Sequence, residues 1–180
     1  MKIYKVVVTG PESTGKTSLA SQLASLFGTI WIPEYARGYI LGLGRDYTYQ
    51  DIEHIAMEQI LREKKYISRA NHFLFFDTHL IITKIWFRVK YDRYPLWIDD
   101  AIRESGTDLH LVCNTDIQWV ADEVRENGGE MREKLLSMYQ QEISDFGFPC
   151  ELVSGQGPAR VRSAIEHLNN HFNLKKIGVF

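Results

Sequence analysis

The sequence predicts a three-layer α/β fold, with a five-stranded parallel sheet between helices, on three observations. Short β-branched or aromatic runs alternate with segments of helical periodicity along the whole chain. Those runs are apolar almost throughout rather than alternating, as strands buried on both faces are. The first of them leads through a glycine-rich turn straight into a periodic segment, the strand–turn–helix order that opens many such sheets.

Ile3 to Thr9 is the first expected strand, and Ser18 to Phe27 the first helix, with Leu19, Leu23, Leu26 and Phe27 on one face and Gly28 as its stop. Thr29 to Ile32 is a second strand, closed by Pro33. Tyr35 to Leu43 and Gln50 to Ala70 read as helices, the longer one striped by Ile52, Ile55, Ala56, Gln59, Ile60 and Ile67. His72 to Phe76 is the third strand, followed by helices over Leu80 to Tyr91 and Leu96 to Glu104. The fourth strand is Leu109 to Cys113. A short helix is expected over Ile117 to Val124 and an amphipathic one over Glu130 to Phe146. Glu151 to Val153 is the fifth strand, and Ala159 to Leu168 closes the chain. With no repeat, low-complexity stretch or linker, residues 1–180 read as one domain with a helical lid at about 117–133.

The bulk properties narrow the function. A formal net charge of -2 argues against a coat for DNA or an acidic membrane. The two cysteines, Cys113 and Cys150, form no zinc or redox spacing. Val6, Val7 and Val8 are too short an apolar run for a signal peptide, and no stretch has the length of a membrane span. The expectation is a cytoplasmic protein that binds neither nucleic acid nor membrane.

Gly10-Pro-Glu-Ser-Thr-Gly-Lys-Thr17 fits GxxxxGK followed by Ser or Thr in its proper strand–helix context. Gly10 and Gly15 let the backbone curl so that successive N–H groups face an anion, and the following helix adds its positive end. Lys16 suits the β- and γ-phosphates and the Thr17 hydroxyl suits Mg²⁺. Gly10, Glu12, Ser13, Thr14, Gly15, Lys16, Thr17 and Ser18 are therefore the expected ATP-binding positions.

Two acids follow strands, where ligands of parallel sheets sit. Asp77 ends the third strand and either organises Mg²⁺ with Thr17 or caps the next helix. Glu34, in Pro33-Glu-Tyr-Ala-Arg37, either takes the proton of an acceptor hydroxyl or is a solvated acid at a helix start. Tyr35 either covers an aromatic base or fills the core, and Arg37 either grips the substrate or lies on the surface. Arg125 and Arg132 flank Gly128-Gly129, which suits a segment closing over a phosphoryl group, or else belong to a solvated helix. Gly155-Gln-Gly-Pro-Ala159 is either a loop against adenine or a plain turn. Trp86, Tyr91, Tyr94, Trp97 and Trp119 are each pocket or core candidates.

The P-loop, Pro33-Glu-Tyr-Ala-Arg37, Phe76-Asp-Thr78 with Thr83, and Asn114-Thr-Asp-Ile-Gln-Trp-Val-Ala-Asp122 with Arg125 together resemble the ribosylnicotinamide kinase domain of NadR-type proteins, a branch of the AAA-like P-loop ATPases. The resemblance implies phosphorylation of nicotinamide riboside at its 5′-hydroxyl by Mg·ATP. It also implies Glu34 on the substrate side and an aromatic wall, Tyr35 or Trp86, against the cationic ring. Such proteins commonly carry further domains ahead of the kinase; this sequence opens at the first strand, so only the kinase step is expected. A kinase for another nucleoside is the nearest alternative, disfavoured because Thr78 stands where deoxynucleoside kinases have a basic residue. A regulatory P-loop ATPase acting through a protein partner is the alternative from another class.

Overall fold

The computed structural model describes residues 2–121 and 127–174. Five strands, β1 (Tyr4–Thr9), β2 (Ile30–Ile32), β3 (Phe73–Asp77), β4 (Leu109–Cys113) and β5 (Cys150–Val153), form one sheet in the order β2-β3-β1-β4-β5. All four pairings are parallel. The helices are α1 (Lys16–Leu26), α2 (Tyr35–Gly42), α3 (Tyr49–Tyr66), α4 (Leu80–Tyr91), α5 (Trp97–Glu104), α6 (Glu130–Asp145) and α7 (Pro158–Phe172).

The strand period of two sorts the core into layers. Val6 and Val8 of β1 face α1 and α7, packing with Leu19, Leu23, Ala164 and Ile165. Val7 faces the opposite side with Leu74 and Phe76. There α3 to α6 pack on one another through Ile52, Ile85, Phe87, Ile98, Ile102 and Ile143. Every residue of β3 and β4 is buried, which explains their unbroken apolar character. The expected three-layer P-loop kinase-type fold is the observed one.

Three elements depart from expectation, one of them α7, which runs on to Phe172. The C-terminal end of the long second-layer helix tightens to a 3-10 turn over Ile67–Arg69. Ile117 to Ala121 is not helical, and 122–124 of that expected helix lie outside the described residues. The cause is competition for backbone groups: Val120 N–H donates to Ser13 Oγ at 3.1 Å, and the Ile117 carbonyl accepts from Arg132 at 3.0 Å. Trp119 then packs flat against Gly128, where a Cβ would lie 3.2 Å from the indole. No helix among the described residues is long and apolar enough to cross a membrane.

Candidate active site

Placing β1 between β3 and β4 puts the turn after β1 at the centre of the sheet's carboxyl edge. Gly10 takes φ +140° there, and a Cβ would stand 2.7 Å from the Cys113 carbonyl oxygen at the end of β4. Only glycine allows that approach. The chain then curls through Ser13 and Gly15, both at positive φ, and α1 starts at Lys16. Thr14 Oγ1 and Lys16 Nζ both donate to the Pro11 carbonyl at 2.8 Å, pinning the curl across its mouth.

Parallel register sets Asp77 beside Val8, two residues before the P-loop. Thr17 Oγ1 donates to Asp77 Oδ2 at 2.6 Å. Asp77 Oδ1 is buried with no hydrogen-bond partner among the described residues. Burial pushes the Asp77 carboxyl up, while the Thr17 hydroxyl and the Lys16 charge pull it back. Thr78 follows at φ +72°, strained for a β-branched residue, and turns into the cleft wall. The helix after it is entered through His79, not capped by the Asp77 side chain.

Glu34 occupies the N-cap position of α2 without a side-chain capping bond. It is half-buried and lines the same cleft as Lys16. Desolvation raises its carboxyl above the usual range; Lys16 opposes this, Asp77 adds to it, and Arg37 opposes it again. The cleft measures about 490 Å³ and runs from the P-loop past Glu34, Arg37 and Thr78 to Tyr47 and Trp86. Trp86 Nε1 donates to the Tyr47 hydroxyl at 3.1 Å, and the rings meet edge-on with centroids 4.9 Å apart. The loop carrying Tyr47 is fastened by Asp51, whose carboxylate binds Arg45 and Thr48 and is held well below its usual range by them, Arg45 first.

Some sequence-predicted residues take other places. Tyr35 turns away from the cleft: its hydroxyl meets His54 Nε2 at 3.0 Å, and Arg62 lies over its ring. Arg132 is buried, not presented to the cleft. Its guanidinium donates to the carbonyls of Glu12 at 3.2 Å and Ser13 at 3.4 Å. Arg125 lies outside the described residues. Glu12 accepts from Asn127 N and Nδ2, tying Asn127 to the P-loop. Tyr91 and Tyr94 belong to the α3–α6 core, against Tyr49 and Lys84. Trp97 donates to Glu53.

Sequence reasoning missed Tyr47, Thr78, Asn127 and Tyr139 as cleft residues. Tyr47 sits in a connection with no periodicity. Tyr139 lies on the core stripe of α6, and burial pushes its hydroxyl strongly up. Thr78 had a signal: it directly follows the acid at the strand end.

A central glycine curl, an adjoining lysine and threonine, and an acid at the next strand end define a P-loop nucleotide-binding protein of the three-layer kinase-type fold. The chain belongs to the AAA domain family, whose model matches residues 5–160. The trifunctional NAD biosynthesis/regulator protein NadR of Salmonella typhimurium is 30% identical over 136 residues, 73% of this chain. The chain spans 33% of that relative's length. A crystal structure of NadR protein in complex with NR matches with a TM-score of 0.84 at 21% identity, covering 99% of this chain and 54% of that one. Another, of NadR protein with NAD and AMP-PNP, gives 0.80 at 20% identity, covering 98% and 52%. Deoxyadenosine kinase from M. mycoides gives 0.64 at 15% identity, over 92% of this chain and 99% of that one. The resemblance carried by the sequence motifs and these likenesses agree.

Proposed function

We propose that this chain is an ATP-dependent kinase that phosphorylates the 5′-hydroxyl of nicotinamide riboside. The observation that carries the reading is one continuous cleft joining the P-loop, Glu34 and the Tyr47–Trp86 pair. A phosphate cradle at one end and an aromatic wall at the other suit transfer from ATP to an acceptor with a flat ring. Electron-rich aromatic faces attract a cation, and the pyridinium ring of nicotinamide riboside is one. The NadR structures described with NR and with AMP-PNP support the same pairing of ligands. Another nucleoside is the second reading, favoured by the likeness to deoxyadenosine kinase.

The residues divide the work. P-loop N–H groups and Lys16 hold the β- and γ-phosphates. Thr17 and the unpartnered Asp77 Oδ1 are hard oxygen donors that fit Mg²⁺, which keeps most of its shell as water and phosphate oxygen. When bound, Mg²⁺ neutralises the phosphate oxygens. Glu34 accepts the proton of the acceptor hydroxyl. A bond forms between that oxygen and the γ-phosphorus as the bond to the bridging oxygen breaks, releasing ADP. The raised Glu34 carboxyl makes it a stronger base toward the hydroxyl. Segment 117–133, tied to the P-loop through Val120 and Asn127, is the proposed cover of the nucleotide.

Glu34→Gln tests this directly. It is expected to bind Mg·ATP normally by calorimetry while kcat falls about 10²–10⁴-fold. Full turnover in that variant contradicts the base assignment.

A further inference from the structure

A P-loop N–H that faces an anion leaves the carbonyl of the residue before it facing away, to an outer side. Three successive carbonyls on that outer side are taken up by two buried arginines. Arg132 holds Glu12 and Ser13, as described, and Arg160 Nη1 donates to the Thr14 carbonyl at 2.9 Å. Arg160 is only 3% exposed.

Arg160 also reaches two other loops at the sheet's carboxyl edge. Its Nε donates to the Gly155 carbonyl at 2.7 Å and its Nη2 to the Asn114 carbonyl at 3.3 Å, and Nη2 pairs with Asp116 Oδ1. The other Asp116 oxygen accepts the Gly155 N–H at 2.6 Å, and the Asp116 carbonyl accepts Gln156 Nε2 at 2.8 Å. Gly155 holds φ +94°, and a Cβ there would press on Ala159 and the Arg160 nitrogen at 3.1–3.2 Å. The Gly155-Gln-Gly-Pro-Ala159 turn is thus built to deliver one guanidinium behind the P-loop.

Peptide orientation makes this consequential. A carbonyl fixed outward by a cation fixes the following N–H inward, toward an anion. A charged donor also polarises that peptide, strengthening the N–H on the far side. The planar fork of arginine serves several acceptors in different directions, which a lysine ammonium at the end of its stem does not reproduce.

We propose that Arg160, anchored by Asp116, is a positioning residue that sets the anion-binding shape of the P-loop from its carbonyl side, with Arg132 as the second brace. The proposal rests on residues 10–17 being the triphosphate cradle. It ties the loops after β4 and β5 to the phosphate site as one unit.

Calorimetric titration with inorganic tripolyphosphate, paired with thermal melting, separates the possibilities. Wild type is expected to bind and Lys16→Ala to lose binding. Arg160→Lys, which keeps the charge and loses the fork, should weaken binding about tenfold or more, roughly one charge-assisted hydrogen bond. Asp116→Asn should weaken it less, and the double variant no more than Arg160→Lys alone, because both act through one contact. In turnover, KM for ATP should rise in Arg160→Lys while KM for the acceptor stays. Wild-type affinity for tripolyphosphate in both single variants overturns the proposal, as does a loss matched by an equal rise in the acceptor's KM. A wild-type chain that ignores tripolyphosphate removes the cradle reading itself, and this proposal with it.

Discussion

At the scale of single residues, the site depends on contacts that tolerate no added atom and on charges that face one another. Gly10→Ala would drive a methyl into the Cys113 carbonyl at a φ that L-residues avoid. The expected outcome is loss of Mg·ATP binding by calorimetry together with a lowered melting temperature; a variant that binds normally contradicts the close-approach argument. Lys16, Thr17, Asp77 and Glu34 could be named as candidates because their types and positions suit phosphate and proton chemistry, and the structure gathers them: three line one cleft and Asp77 bonds Thr17. Tyr35 and Arg132 were named, yet they sit elsewhere, since sequence gives an aromatic or a guanidinium no direction. Arg132 and Arg160 illustrate the limit: a buried arginine donating to loop carbonyls looks in sequence like any charged helix residue.

At the scale of elements, periodicity recovered every strand and all seven helices, with α4 and β4 matched at both ends. The α7 helix runs one turn beyond its expected end, to Phe172, because Phe172 packs against Tyr4 and Phe73. The expected helix from Ile117 failed where Ser13 and Arg132 compete for its backbone, a tertiary contact that local propensity does not register. Helix packing also relies on an unforeseen ionic knot. Lys84 of α4, 5% exposed, meets Asp99 of α5 at 2.7 Å and Glu142 of α6 at 2.5 Å, and Arg88 joins Glu142 at 2.6 Å. Lys84→Ala leaves the buried carboxylate of Glu142 short of a partner. It should cost about 3–5 kcal/mol in urea unfolding; a loss under about 1 kcal/mol would mean the knot is idle.

At the scale of the whole molecule, the sheet order places everything chemical on one edge, and acid sensitivity comes from its middle. His110 lies within β4, buried beside Phe148, and burial pushes its ring down to about 3. The unfolded chain binds a proton there near 6.5 and the folded chain does not. Stability from this group is therefore complete above about 6.5 and lost as pH falls toward 3, by up to about 1.4 kcal/mol per pH unit. Glu34 and Asp77, with raised carboxyls, act in the opposite sense. Comparing His110→Leu with wild type in urea unfolding from pH 7 to 5 isolates the histidine; equal slopes contradict it. The acceptor is the central claim, and ADP release with Mg·ATP against a panel of acceptors tests it most directly. The account predicts turnover that requires nicotinamide riboside and yields its mononucleotide. Turnover with deoxynucleosides instead, or slow ADP release indifferent to every acceptor, would contradict it.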